Sequence, residues 1–367
     1  MRRILVYGMT SNKGGIESYL MNYFRVLSEY EIIFDFITES SNMAYSEEVK
    51  ALGGDIFCIP SRREGLLKHM KRIRYILKSH PEYDTVYFNI LSASEVFTVL
   101  STIGLKKIRR IVHSHNNAVK TMERHKLLRP LLRCLTTDAL ACSDEAAEFM
   151  FGESWIKRHP VKIIKNAISI DKYLFNEQVR NDVRIELEIP EEAYVIGHVG
   201  RMCYQKNTLF IIEVFKYICA MDDKAFLLLV GDGEDRKIVE QAVEESGVKS
   251  RIKILGMRND VERLIQGMDV FFLPSRFEGL PVVAIEAQAS GLPCVFSDRF
   301  SRKADVTGNA EFISLDSEID KWSNATLKYK DFKRKDEKKS IQEAGYDISR
   351  EADSLMHFFE GDGYEKK

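Results

Sequence analysis

The residues best suited to chemistry stand in one stretch, Pro274-Ser275-Arg276-Phe277-Glu278-Gly279-Leu280-Pro281, which runs into 282–290 with Glu286 inside it. A strand ending at Pro274 and a helix beginning near Pro281, where proline suits a first turn, put Glu278 on a loop and Glu286 in the helix's second turn. The two carboxylates are then inequivalent. Glu278 can accept from hydroxyl groups of a ligand, and Glu286 from a ribose diol farther along. The amides after Gly279 would form a helix N-terminus, which attracts anions, and glycine lets backbone approach a ligand without a Cβ in the way. The bland alternative is a solvated loop glutamate and an ordinary helical one. Against it, Glu286 sits in the apolar run VVAIEAQA, where a carboxylate needs a partner.

Gly200-Arg201 and Gln205-Lys206-Asn207 supply cations. Arg201 leaves the end of an apolar run and Lys206 lies just before a helix, an unfavourable place for a cation unless an anion is bound nearby. Arginine as a fork and lysine as a point charge suit a diphosphate. Gly231-Asp232-Gly233 follows AFLLLV and is weak alone, because strand-to-glycine turns are common. In the front half, Lys13-Gly14-Gly15 opens a helix but lacks both the dinucleotide fingerprint and the G-K-[ST] ending of a Walker loop. It reads as a short glycine loop bringing a helix start to a ligand. His113-Ser114-His115-Asn116 follows another strand, and His115 is the candidate to bond a sugar hydroxyl or phosphate, although which of the two histidines faces outward stays open. No Asp-x-Asp motif or third ligand supports a metal.

The elements that must carry these residues form two series. The runs 3–8, 32–38, 55–59, 85–89, 108–113 and 139–142 are short and apolar, with helical segments such as 15–27 and 66–78 between them. The rhythm restarts with strands at 194–200, 225–231, 252–256, 270–274 and 293–297, and helices at 207–220, 234–245, 260–266 and 282–290. Buried strands alternating with helices predict an α/β chain of two doubly wound parallel-sheet domains. Ligands would bind at the carboxyl ends of the strands, in a cleft between the domains. The expected division is an acceptor-side domain 1–170, a charged linker 171–190, a ligand-binding domain 191–345, and a helix and tail 346–367. Residues 328–340 read as a solvated helix, and 348–359 as an amphipathic helix packed onto one domain.

Length and composition agree with that plan. A chain of 367 residues with 45% apolar and 30% charged residues can bury two cores and is not disordered. Residues 1–170 carry a formal charge of +7 and the remainder −8. The six cysteines contain no Cys-x-x-Cys pair and read as buried thiols of a reducing compartment. Without a signal peptide or an apolar span of membrane length, the expected location is the cytoplasm, or the inner face of a membrane.

In combination, Gly14-Gly15, His115, Gly200-Arg201 with Lys206, Gly231-Asp232-Gly233, and Pro274-Ser275 leading to Glu278-x7-Glu286 and Gly291-Leu292-Pro293 resemble the retaining GT-B glycosyltransferases of family 4, and among them transferases of bacterial capsule and exopolysaccharide assembly. The resemblance implies two Rossmann-like domains facing across a cleft and transfer of a hexose from a nucleoside diphosphate sugar, UDP-linked, to a glycan or lipid-linked acceptor. It implies that Arg201 and Lys206 hold the diphosphate, Glu278 the transferred sugar with help from Gly279 and Leu280, and Glu286 the ribose. Met257 and Arg258 would flank the base, Gly14 and Gly15 approach donor phosphate or acceptor, and His115 the donor sugar. No metal, cofactor or nucleic acid is expected. Where many members have Gly-Gly-x-x-Glu, this chain has Asp298-Arg299-Phe300-Ser301.

Two other classes remain open at this level: a sugar-nucleotide epimerase sharing the two-domain plan, and a binding module without catalysis. The cations Arg62, Arg63, Lys68, Lys71, Arg72, Arg74 and Lys78 crowd one predicted helix. That helix could rest on an anionic membrane beside a lipid-linked acceptor, or it could only cover the sheet.

Overall fold

Strands and helices alternate throughout the computed structural model of the chain, which describes every residue except Lys106, Ala118, Lys120, Gly279, Phe300 and 362–367. Two compact units result, one of Met1–Ala167 together with the segment from Ile348 on, the other of Ile168–Asp347.

In the first unit, strands β1 (Arg2–Tyr7), β2 (Ile32–Thr38), β3 (Ile56–Cys58), β4 (Thr85–Ile90), β5 (Arg109–Ser114), β6 (Asp138–Ala141) and β7 (Val161–Ile163) form one parallel sheet in the order β3-β2-β1-β4-β5-β6-β7. Helices α1 (Gly15–Glu29), α2 (Ser46–Ala51), α3 (Leu66–Ser79), α4 (Val96–Leu100), α5 (Met122–Leu135), α6 (Asp144–Phe151) and α7 (Glu153–Ile156) connect them. Side chains alternate across the pleat. Ile4 and Val6 join the core under α1, while Leu5 and Tyr7 join the opposite core under α3, α4 and α5. Both faces are covered, which explains why the strands read as unbroken apolar runs.

The second unit begins with α8 (Glu177–Glu186). Its sheet contains β8 (Tyr194–Val199), β9 (Ala225–Val230), β10 (Ile252–Ile254), β11 (Val270–Leu273), β12 (Cys294–Ser297) and β13 (Ala310–Ile313), parallel in the order β10-β9-β8-β11-β12-β13. The helices are α9 (Thr208–Met221), α10 (Arg236–Glu245), α11 (Val261–Leu264), α12 (Val282–Ala289), α13 (Ile319–Leu327) and α14 (Lys338–Glu343). Finally α15 (Ile348–Glu360) belongs to the first unit, where Leu355, Phe358 and Phe359 are buried and Phe359 meets the Phe34 and Tyr87 rings edge-on. In both sheets the strand order reverses beside the first strand, so the loops after β1 and β4, and after β8 and β11, flank the switch points where doubly wound folds bind ligands.

Several sequence expectations need correction. Residues 171–190 are not a linker: they belong to the second unit, and Val183, Leu187 and Ile189 of this segment enter its core. Most of the charges that suggested a linker line the exposed side of α8 and its flanks, while two arginines turn inward. Arg180 and Arg184 both pair with Asp269, at 2.8 and 2.7 Å, and Arg184 also donates to the carbonyls of Gly267, Glu191 and Ala193. The boundaries fall after Ala167 and Asp347 rather than 170 and 345. Nor is 328–340 one solvated helix. Residues 332–337 are irregular, and Arg334 turns inward to donate to the carbonyls of Ser290, Ile265, Gln266 and Met268. Strands β7 and β13 are additions. Of the thiols, Cys142, Cys203, Cys219 and Cys294 are buried, but Cys58 and Cys134 are exposed.

Candidate functional site

All the second-unit candidates stand at the carboxyl edge of its sheet or on the helix that follows. Gly200, Arg201 and Lys206 lie on the loop between β8 and α9, and Glu278 and Leu280 on the loop between β11 and α12. These two loops flank the switch point. They are also bonded to each other: the Arg276 amide donates to the Gln205 carbonyl at 2.8 Å, and Asn207 Nδ2 donates to the Pro274 carbonyl at 3.3 Å. Arg276 donates to Asn207 Oδ1 and stacks its guanidinium over the Tyr204 ring at 4.6 Å.

Lys206 Nζ donates to Glu278 Oε1 at 2.6 Å, with only 15% and 8% of the two side chains exposed. Gln205 Nε2 reaches Glu278 Oε2 at 3.3 Å and the Phe277 carbonyl at 3.0 Å. The cation and the carboxylate expected to serve different parts of a ligand thus form one nearly buried pair. Arg201 differs: its side chain is 56% exposed and its Nε lies 3.9 Å from Glu234, too loose to fix it. Gly200 matters because a Cβ there would stand 3.1 Å from His198 Nε2 and 3.3 Å from the Lys206 stem. His198 Nδ1 lies 2.9 Å from the Phe272 carbonyl. It must therefore be the protonated nitrogen, and Nε2 keeps a lone pair. Burial pulls this imidazole down to about 4. His198 Nε2, Thr208 Oγ1 and Ser275 Oγ are buried at this edge with no hydrogen-bond partner among the described residues, the kind of vacancy that a polar ligand or water fills.

Glu286 occupies the second turn of α12, which starts after Pro281 as the sequence predicts. Its Oε1 accepts from the Tyr173 hydroxyl at 2.8 Å. Burial pushes the carboxyl up to about 7, against the opposing pull of that hydrogen bond. Leu280 is half-buried against the cores beneath α12. Gly279, expected at the helix start, lies outside the described residues.

Two further candidates have structural occupations. Gly231 has φ +133°, and a Cβ there would stand 2.0 Å from the Gly200 carbonyl oxygen. It is glycine because two strand-end loops pack backbone to backbone. Arg258 forks onto Asp260 at 2.8 and 2.7 Å and reaches Glu186 at 3.1 Å, so its charge is already matched. Its neighbour Met257 is exposed.

In the first unit, Gly14 and Gly15 start α1 at the carboxyl edge. The helix start already holds an anion. Buried Glu17 accepts from the Gly14 amide at 3.1 Å and from the Thr10 amide and hydroxyl at 3.2 and 2.5 Å. An incoming phosphate would meet this carboxylate, so Gly14 is a capping position rather than a vacant anion hole. Gly15 is different: a Cβ there would meet nothing within 4 Å. His115 follows β5, with Nε2 2.8 Å from Asn89 Oδ1. Burial pulls it down to about 3, so it is neutral. His113 lies deeper, bonded to the Tyr87 hydroxyl, which in turn meets the Tyr19 hydroxyl at 2.8 Å. The two imidazole rings are 4.0 Å apart, and His115 is the less buried.

Sequence reasoning missed Gln205, Tyr173, His198 and Glu17 as parts of these sites. Glu17 was legible: a glutamate three residues after a helix start signals a capping box. Tyr173 was not, because it lies 113 positions from the carboxylate it holds. Among the described residues no three His, Cys, Asp or Glu side chains gather as a metal ion requires.

Residues 179–346 match the sequence profile of the family described as glycosyl transferases group 1. EpsF of Bacillus subtilis (strain 168), assigned as a glycosyltransferase, is 29% identical over 370 residues, 98% of this chain and 96% of its own. The UDP-Gal:alpha-D-GlcNAc-diphosphoundecaprenol alpha-1,3-galactosyltransferase of Escherichia coli is 27% identical over 341 residues, 87% of this chain and 85% of its own. The crystal structure of Anabaena Alr3699/HepE in complex with UDP-glucose is similar in fold, with a TM-score of 0.72 at 17% identity over 98% of this chain and 95% of that one. The fold is GT-B, built of two Rossmann-like domains.

Proposed function

We propose, for a chain whose residues 179–346 belong to the glycosyl transferases group 1 and which is a glycosyltransferase, that it moves a hexose or N-acetylhexosamine from a UDP-sugar to a glycan or lipid-linked acceptor with retention of configuration, in cell-surface polysaccharide synthesis. The observation that carries the donor reading is the Lys206–Glu278 pair at the β8/β11 switch point, beside the exposed charge of Arg201. The E. coli relative, whose name gives a UDP-sugar and a lipid-linked acceptor, supports the substrate classes.

In this reading the donor diphosphate enters beside Lys206. The ammonium keeps one bond to Glu278 and turns another to phosphate, while Arg201 swings in as a second cation. Glu278, held by Lys206 and Gln205, faces the sugar hydroxyls, and Glu286 accepts from the ribose. As the glycosidic bond to phosphate stretches, positive charge grows on the sugar ring and negative charge on the leaving diphosphate. Fixed cations stabilise the latter. The acceptor hydroxyl then bonds to the anomeric carbon on the face the diphosphate leaves, and its proton passes to a leaving phosphate oxygen. A retaining glycosidase would need two carboxylates about 5–5.5 Å apart. Here Glu278 and Glu286 have separate partners, Lys206 and Tyr173. The cations serve the diphosphate without a resident metal. A lipid-linked acceptor would place the chain at the inner face of a membrane.

Incubation with a panel of nucleoside diphosphate sugars tests this. One UDP-sugar should be slowly hydrolysed to UDP and free sugar without added metal. Conversion to an isomeric nucleotide-sugar would identify an epimerase, and binding with no turnover of any donor would identify a non-catalytic module.

A further inference from the structure

Helix α5 carries its apolar stripe on the wrong side for a core helix. Leu127, Pro130, Leu131 and Cys134, spaced i, i+3, i+4 and i+7, are all exposed, and Leu127 is 78% exposed. The opposite side, with Leu132 and Leu135, is buried against the sheet. Arg124 and Lys126 flank the stripe, and Arg129 and Arg133 lie beneath it with Nε atoms that find no hydrogen-bond partner among the described residues. Helix α3 covers the same face of the same sheet. It buries His69, Ile73, Ile76 and Leu77 and turns outward Lys68, Lys71, Arg72 and Lys78, with Leu67 and Tyr75 also exposed. No residue of α3 is acidic, and α5 has one acid, Glu123.

We infer that this face of the first unit is a membrane-docking surface for anionic lipid, in which the α5 stripe enters the acyl boundary and the α3 cations adsorb to headgroups. Apolar side chains rimmed by cations match an interface that is greasy within and negative at its surface. A second copy of the chain fits poorly, because a two-fold contact would set these cations against their own equivalents. The sequence pointed to α3 alone, but α3 spends its apolar side on the sheet. The inserting element is α5, which begins at the loop after His115. The inference deepens the lipid-linked acceptor reading and rests on it for its purpose, whereas adsorption itself does not depend on transfer.

Co-sedimentation of the full chain with vesicles tests it. Vesicles containing phosphatidylglycerol should bind the protein, pure phosphatidylcholine should not, and binding should weaken as salt rises. Leu127→Glu with Leu131→Glu should lower partitioning at least about tenfold without changing the melting temperature or soluble donor hydrolysis. L127W should strengthen binding and blue-shift its fluorescence on vesicles. Unchanged partitioning in the double variant, or equal binding to neutral vesicles, would overturn the inference. So would a concentration-dependent dimer that the double variant abolishes. Loss of vesicle binding with intact donor hydrolysis separates this surface from the donor site.

Discussion

The chemistry of Glu286 is set by its surroundings. Its carboxyl is pushed up to about 7 by burial, while the Tyr173 hydroxyl favours the charged form. A carboxyl raised in the folded state contributes stability below its unfolded value near 4.5, and that contribution is lost as pH rises through about 7. In the proposed function the charged form accepts two ribose hydroxyls, so donor KM should fall as pH rises through the same range. Tyr173→Phe removes a bond to the carboxylate and should move the midpoint of that KM profile to higher pH. Glu286→Gln should flatten it and make stability less dependent on pH. A KM profile that Tyr173→Phe leaves in place would refute the assignment. His115 offers no comparable handle near neutrality, because burial already keeps it neutral.

At the scale of elements, the strand-end glycines divide into two kinds. Gly231 is required by the fold: its positive φ and its 2.0 Å clearance from the Gly200 carbonyl leave no room for a methyl group. Gly231→Ala should cost about 2–4 kcal/mol from backbone strain and overpacking, seen as a lowered melting temperature whether or not donor is present. Gly15 begins a helix in open space, where alanine should be neutral or stabilise by up to about 1 kcal/mol. If Gly15 exists to let a substrate approach, Gly15→Ala should raise substrate KM while the melting temperature holds. An unchanged KM would leave Gly15 no role in binding. The sequence placed both at helix or strand ends but could not tell these cases apart, because clearance depends on what packs opposite. Element positions were legible where periodicity was strong. The α12 start at Pro281 and the β2 bounds match the expectation, since a capping proline and a doubly buried strand leave local marks. The segment 171–190 was misread for the opposite reason: the charge of Arg184 signals solvent locally, whereas Asp269, 85 positions away, and the carbonyls of Gly267, Glu191 and Ala193 make it a core residue.

For the molecule as a whole, two similar sheets carry unequal amounts of readable chemistry. The second unit's candidates recur as short motifs at successive strand ends, so their convergence follows once the strands are parallel. What the sequence missed is that Lys206 and Glu278 are partners, a contact spanning 72 positions. Their pairing changes the expectation for substitution. Removing one member leaves the other nearly buried and uncompensated, so a single alanine weakens the fold as well as the site. A closely shaped neutral residue removes the same charge without adding a cavity, so it is the cleaner probe. In the proposed function the first unit meets the acceptor through surfaces with no sequence motif, and α15 completes its core from the far end of the chain. In the proposed function the Lys206–Glu278 pair at the β8/β11 edge holds the donor for transfer. The most direct test is the rate of UDP release from the preferred UDP-sugar in wild type, Lys206→Met and Glu278→Gln, with each variant's folding checked by its melting curve. Both folded variants should lose at least about a hundredfold in rate, as removal of fixed charge stabilisation does. Wild-type rates in either would contradict that role of the pair.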